Sequence, residues 1–434
     1  MPVYGLNRNQ WVQIISSWSG WLMDGYVTIA YALVVVTMQP IFFPGNVGLI
    51  GGFLGLAFGA IARSVGSLFL GNFLGDRIGR KRMLTLTILL FSIFSALIGV
   101  LPTYSSVGIA APILLYVLLF AVGLFAGAEY GGGAALSSES VPAEKRGFVG
   151  AFVQSGFGTG YFIAGFMLSA LGLIFSGPEF SAIGWRVLFF TTLVPGALTL
   201  LIRAVTPESE VFKQMVGEKR VERIPVAGML KEAGGPMVLA ILITTGLLYI
   251  NTGTFAFYPS VLQAHLMDNN VVSVGFVLAL INLISLFGVW FGGAISNLVG
   301  GRKVSMVIYT VLFVISAYPL ILLGYSANIY SEIIGFGLQA FIEAMIFSTL
   351  PAFLSETFSK KYRTTAVGFT YNAGGIVGGF AAVFITLSAG FMEFRTAWVL
   401  NLGIAGLVMI LAIAASRETW SARAKGEKKD LIHE

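Results

Sequence analysis

Cysteine is absent from this 434-residue chain, histidine occurs only twice, and charged residues make up only 11% of it. Without cysteine there is no disulfide, no thiolate metal ligand and no thiol nucleophile. The two histidines, His265 and His433, stand far apart, so they do not pair into a catalytic or metal-binding constellation. No GxxxxGK[ST] run occurs, which removes any recognisable nucleotide-hydrolysing loop. Gly156-Phe157-Gly158-Thr159-Gly160 is rich in glycine but lies inside an apolar segment, so it reads as helix packing and not as a phosphate cradle. No metal or cofactor is expected, and no enzymatic centre. The shortage of charge says most. Soluble domains carry about 25% charged residues, and a globule must cover itself with polar groups. A chain that is 56% hydrophobic cannot do so, so its solvent is lipid. In lipid only helices and closed barrels satisfy the backbone. Barrel strands alternate over about ten residues. The apolar runs here last about twenty residues without alternation, the length of a spanning helix.

What is present is an ordered series of such runs. They fall near 11–38, 48–74, 83–101, 110–138, 147–174 and 184–204, and again near 236–262, 272–296, 303–324, 331–354, 365–389 and 396–416. The first is too long for a signal peptide and lacks a small-residue cleavage site. One long polar stretch, 206–235, separates the sets, and 417–434 forms a polar tail. The expected organisation is an N-terminal six-helix bundle over 1–205, a cytoplasmic linker over 206–235, a C-terminal six-helix bundle over 236–416 and a cytoplasmic tail. With both termini inside, every Lys and Arg except Arg63, Arg186 and Arg395 falls on the inner side. This is the asymmetry of a plasma-membrane protein with inward-facing basic loops. It accounts for the net charge of +6 without nucleic acid.

The two sets also repeat one another. Glu139 precedes Arg146 and Glu356 precedes Arg363 at the same spacing, each pair after the fourth run of its set. Gly71 through Arg82 follows the second run, and Gly292 through Lys303 follows the eighth. Arg186 and Arg395 open the sixth run of each set. Duplicated halves with a site between them are a transporter plan.

At Gly71–Arg82 the chain resembles the GxxxDRxGRR loop signature of the major facilitator superfamily. Further segments resemble its metabolite:proton symporters: Ala62-Arg63-Ser64-Val65-Gly66, Gly127-Ala128-Glu129-Tyr130-Gly131-Gly132, Glu139 through Gly147, Gly184-Trp185-Arg186, Pro207-Glu208-Ser209 and Tyr371-Asn372. Ser64 stands where those proteins have proline, Ala128 where they have glycine, and Asn297 where the second loop has an acid. The resemblance implies a twelve-helix fold of two pseudo-symmetric halves and carriage of organic acids, amino-acid-like osmolytes or related metabolites with protons.

The residues themselves single out a mid-membrane site. Asp24, Arg63, Glu129 and Glu343 are ionisable groups deep in apolar runs, all at a depth of roughly 15–20 Å from the inner surface by helical rise. Such groups are costly in lipid and should face the bundle interior. Asp24, Arg63 and Glu129 together carry one excess negative charge, so Arg63 can neutralise one carboxylate and leave the other to bind a proton. Asp24, Glu129 and Glu343 are therefore the candidate proton-coupling residues. Polar stripes at helical spacing add Tyr31, Gln154, Tyr249 and Gln339 to Arg63 as candidate substrate ligands, and the Tyr-Asn resemblance adds Asn372. Asp76, Arg77, Arg80, Glu139, Arg146, Glu356 and Arg363 are the candidate conformational latch at the inner ends. In this reading a monomer in the bilayer carries a small-molecule substrate with protons. The alternatives are a sugar:proton symporter, a proton-antiporting drug exporter and a transport-derived membrane sensor.

Overall fold

In the computed structural model the described residues are 5–45, 48–70, 80–139, 141–142, 145–207, 225–265, 271–326, 328–358 and 363–419. Twelve helices among them are long and apolar enough to span a membrane. The first six are α1 (Arg8–Phe42), α2 (Gly48–Leu68), α3 (Lys81–Ile98), α4 (Ala110–Gly131), α5 (Arg146–Ile174) and α6 (Phe180–Val205). The second six are α7 (Ala233–Ala264), α8 (Val271–Ser296), α9 (Arg302–Gly324), α10 (Ile329–Thr357), α11 (Thr365–Ser388) and α12 (Phe394–Ala415). Most of the expected linker, residues 208–224, lies outside the described residues.

Local chemistry sets several helix ends. Asn7 and Gln10 exchange side-chain-to-backbone hydrogen bonds of 2.9 and 2.8 Å in a capping box that starts α1. Gly300 and Gly301 adopt φ of 122° and 105°, a turn between α8 and α9 that a side chain would resist. Large apolar side chains such as Leu411, Ile315 and Phe391 point outward, as a lipid solvent requires.

Packing within the halves repeats pair for pair. In the first, α1 packs on α5, α2 on α4 and α3 on α4; in the second, α7 packs on α11, α8 on α10 and α9 on α10. The halves meet most extensively through two symmetry-related contacts, α5 with α8 and α2 with α11, flanked by a second such set, α4 with α11 and α5 with α10. Within the first half, the glycine run of α5 lets α1 approach closely. Gly156 lies against the Trp18 carbonyl and Gly160 against the Leu22 carbonyl of α1, where neither position has room for a Cβ.

Candidate functional site

A cavity of about 190 Å³ lies between the two halves. Its first wall carries Arg63 on α2, with Tyr31 on α1 and Gln154 on α5. Its second carries Glu343 on α10, Asn251 and Thr252 on α7, and Asn282 on α8. Asn372 lines it from α11. Most of the remaining lining is apolar or aromatic.

Arg63 and Asp24 form an ion pair across α1 and α2. The Arg63 Nη1 donates to both Asp24 carboxylate oxygens, at 2.9 and 3.1 Å, and its Nη2 donates to them as well. Thr28 adds a hydrogen bond to Asp24 at 3.2 Å. The Arg63 side chain is 17% exposed and Asp24 only 1%. The guanidinium therefore faces the cavity, with the carboxylate behind it.

The expectation that Arg63 neutralises one N-terminal carboxylate and leaves the other unpaired is corrected here. Glu129 is held by Arg203 of α6, and both are buried. The charge asymmetry places Arg203 among the inner-loop cations; instead it reaches into the bundle. Gly20 makes this possible, since a Cβ there would strike both the Glu129 carboxylate and the Arg203 guanidinium. With Arg203 counted, the deep charges of the N-terminal half cancel. Glu129 lines a second, smaller cleft of about 20 Å³, with Ser17, Ser137 and Gln154. Gln154 and Trp21 stand between that cleft and the main cavity, lining both.

Glu343 differs. It is 1% exposed. Its Oε1 accepts a 2.8 Å hydrogen bond from the Asn251 amide, and its Oε2 has no hydrogen-bond partner among the described residues. No cation among the described residues pairs with it.

The other expected ligands divide. The Tyr31 hydroxyl donates to the Gly52 carbonyl at 2.7 Å, so only its ring is free for the cavity. Asn372 spends its side-chain amide N–H groups on the Gly127 and Gly368 carbonyls, at 3.2 and 2.8 Å, while its backbone carbonyl accepts from the Ser64 hydroxyl at 2.6 Å. It ties α11 to α2 and α4 across the halves. Tyr249 and Gln339 do not line the cavity. Tyr249 donates to Asn401 of α12 at 2.7 Å, and Gln339 accepts from Tyr258 at 3.3 Å. Asn251 and Asn282 are cavity residues that polar-stripe reasoning missed; an amide within an apolar span was the available signal.

Aromatic contacts bound the cavity at both ends. Toward the end bearing the N-terminus, Tyr130 stacks on Tyr371 with centroids 3.7 Å apart, and Trp21 packs on Tyr130 at 4.8 Å. Toward the other end, Phe53 meets Phe257 at 5.1 Å, and the Tyr161 hydroxyl donates to the Phe255 carbonyl at 3.3 Å. Each of these joins the two halves, except the Trp21–Tyr130 contact, which lies within the first.

Of the expected latch, Asp76 and Arg77 lie outside the described residues, as do the side chains of Arg80 and Glu139. Arg146 is half-buried at the start of α5 and Arg363 is buried at the start of α11. Glu356 is 3.7 Å from Arg302, a residue the latch reading omitted. The Arg302 guanidinium also lies against Gly147 of α5, in the other half. Glu418 of the tail accepts from the backbone N–H groups of Arg302 and Lys303 at 3.0 and 2.9 Å, and Thr419 donates to Glu356 at 2.8 Å.

The sequence matches the profile of the Major Facilitator Superfamily over residues 20–317 and 241–432. It is 32% identical over 388 residues to the inner membrane metabolite transport protein YhjE of Escherichia coli, covering 86% of each chain. It is 29% identical to the shikimate transporter of the same organism, covering 87% of this chain and 88% of that one. Among solved structures, the proton:xylose symporter XylE superposes with a TM-score of 0.75 at 16% identity, over 93% of this chain and 94% of that one. That likeness speaks to the fold.

Proposed function

The chain belongs to the Major Facilitator Superfamily and is a multi-pass membrane transporter, and from that premise we propose that it takes up a small organic acid or related metabolite together with protons. It does so as a monomer in the plasma membrane, by alternating access, with both termini cytoplasmic. The observation that carries this reading is the Arg63–Asp24 pair, whose cation faces the cavity while its carboxylate does not. A guanidinium in that position can take a substrate carboxylate through two parallel N–H···O bonds. Doing so draws it from Asp24. A buried carboxylate left without its cation is costly, and a proton on Asp24 removes that cost. Arg63 stays charged throughout. Substrate and proton thus enter the cavity together, and loss of the proton on the other side lets Asp24 reclaim Arg63 and expel the substrate.

Access alternates as the two ends part in turn. Opening toward the N-terminal end breaks the Tyr130–Tyr371 stack and the Asn372 bridge; opening the other breaks the Phe53–Phe257 and Tyr161–Phe255 contacts. The concentration of Lys and Arg at the N-terminal end makes that end cytoplasmic. A hydroxyl-rich sugar has no need of a guanidinium, which favours an acid over the sugar-symport alternative.

Uptake into proteoliposomes with an inside-alkaline gradient tests the reading. A radiolabelled carboxylate substrate is expected to accumulate, and a protonophore to abolish accumulation. Asp24→Asn is expected to retain exchange at equal concentrations while losing uphill uptake. Accumulation by that variant equal to the wild type would remove Asp24 from the coupling step; no saturable uptake at all would favour a sensor.

A further inference from the structure

The cavity has two charged walls of opposite sign, one from each half. The Arg63 wall is already neutralised by Asp24. The Glu343 wall is not, for the described residues bring it the Asn251 amide, the Thr254 hydroxyl and no cation. A lone carboxylate in a bundle interior is poorly placed unless something positive arrives. No side chain among the described residues supplies that charge, so it comes from a proton while the cavity is empty and from the ligand when one brings a cation.

The surroundings of Glu343 suit a particular kind of cation. The phenols of Tyr161 and Tyr258 lie within electrostatic reach of its carboxylate. Phe255 packs between them, with ring centroids 5.1 Å from Tyr161 and 5.2 Å from Tyr258, at interplanar angles of 55° and 72°. Rings tilted in this way form a corner instead of a stack. Such corners hold ammonium groups by cation–π attraction, above all those whose charge is spread over methyl or ring carbons. Tyr161 and Phe255 line the cavity directly, as do Phe347 and Leu248, so the body of the ligand meets apolar surface.

We propose that the carried metabolite is a small zwitterion, its carboxylate on Arg63 and its substituted ammonium between Glu343 and the Tyr161–Phe255 corner. This rests on the carboxylate reading of Arg63 above and adds a second subsite to it. The charges then close: the substrate is neutral, its carboxylate takes the place of Asp24 on Arg63, Asp24 holds the proton, and Glu343 meets the ammonium. A plain monoanion would satisfy Arg63 and leave Glu343 alone. A dianion would place its second carboxylate near that of Glu343, which like-charge repulsion opposes.

Matched ligands that differ only in the cationic centre test it. Glycine betaine and tert-butylacetate share shape and carboxylate, as L-proline and cyclopentanecarboxylate nearly do. Binding of all four to the purified protein is measured by titration calorimetry at fixed pH. The zwitterion of at least one pair is expected to bind about tenfold or more tighter than its partner, the scale of a desolvated cation–π and charge contact. Glu343→Gln should bring that ratio close to one. Tyr161→Leu, which removes a ring and no charge, should lower it about threefold. It also stands as the test if the glutamine variant does not fold. Equal or tighter binding of the anions by the wild type overturns the zwitterion subsite, as does a ratio that survives both variants. If the anions bind and Arg63→Ala abolishes that binding, the carboxylate reading survives such a failure; if none of the four ligands binds, the zwitterion assignment fails, and the uptake assay above judges the carboxylate reading separately.

Discussion

The two six-helix halves pack their helices in the same order but distribute buried charge differently. In the N-terminal half every deep charge has a partner: Asp24 with Arg63, Glu129 with Arg203. The cations come from α2 and α6, the acids from α1 and α4, so the pairs lock four helices of one half together. In the C-terminal half the deep acid Glu343 meets an amide, a hydroxyl and aromatic rings but no cation among the described residues, while a buried ion pair, Arg302 with Glu356, joins the start of α9 to the end of α10. A duplicated scaffold therefore places an ion pair on one cavity wall and a carboxyl group without a cation on the other. A substrate meets a wall that must give up a partner and a wall that lacks one. In the proposed cycle coupling belongs to the first, because there binding releases a group that then needs a proton.

The strongest way to break this contrast is to remove the cation of the cavity pair. Arg63→Ala strips the carboxylate ligand and strands Asp24 in the bundle. Losing one member of a buried pair costs about 3–5 kcal/mol, so carboxylate affinity should fall at least about a hundredfold. Titration calorimetry reads the loss. Affinity within about threefold of the wild type would mean that Arg63 is a structural cation and that the substrate binds elsewhere.

Glu129 sharpens the contrast from the other side. Because Arg203 holds it away from the main cavity, its charge should matter to the fold before it matters to coupling. Glu129→Gln leaves a buried guanidinium without its acid and should destabilise the protein by about 3 kcal/mol, the low end for a broken buried pair. Glu129→Gln combined with Arg203→Gln leaves no unpaired charge and should regain at least half of that stability in a detergent melt. The double variant should still accumulate substrate under a pH gradient. If it regains stability yet cannot concentrate substrate, Glu129 carries the proton and the N-terminal pairs are not equivalent.

These pairings show what the sequence could and could not reveal. Twelve apolar runs and the placement of Lys and Arg were enough to locate every spanning helix within a few residues. That Asp24, Glu129 and Glu343 turn into the bundle followed from their place deep in apolar runs. Partner choice did not, because it depends on helix rotation and on contacts far apart in sequence. Arg203 stands at the end of an apolar run next to a polar stretch, where a cation ordinarily turns to water. Only the missing side chain at Gly20, on another helix, lets it turn inward. Tyr249 obeys the polar-stripe rule, yet its stripe faces Asn401 of α12 and not the cavity. Periodicity finds a polar face without saying which neighbour that face meets.

The smallest expected effect concerns the inner ends of the halves, where the first loop has the acid Asp76 and the second has Asn297. The C-terminal half supplies a carboxylate there by another route. Glu418 reaches back from the tail onto the N-terminus of α9, accepting from three of its free N–H groups. Anions at that end of a helix are worth about 0.3–1 kcal/mol near a surface and up to about 2 when partly buried. Lys303 reinforces the contact by donating to the Ala414 and Ser416 carbonyls at 2.7 and 2.8 Å. The same cluster holds Arg302, which touches Gly147 of the other half, so it should favour the conformation in which the inner ends meet. Glu418→Gln is expected to change the transport rate by about threefold, the order of a lost cap of about 0.7 kcal/mol, with little effect on ligand affinity in the cavity. Asn297→Asp should do little in the wild type, whose cap is already filled, and should restore part of the lost rate in the Glu418→Gln background. Counterflow rates in proteoliposomes for the four proteins give this double-mutant cycle. Additive effects, with no rescue, would mean that the tail acid and the loop position are independent, and that the two inner ends do not use equivalent carboxylates.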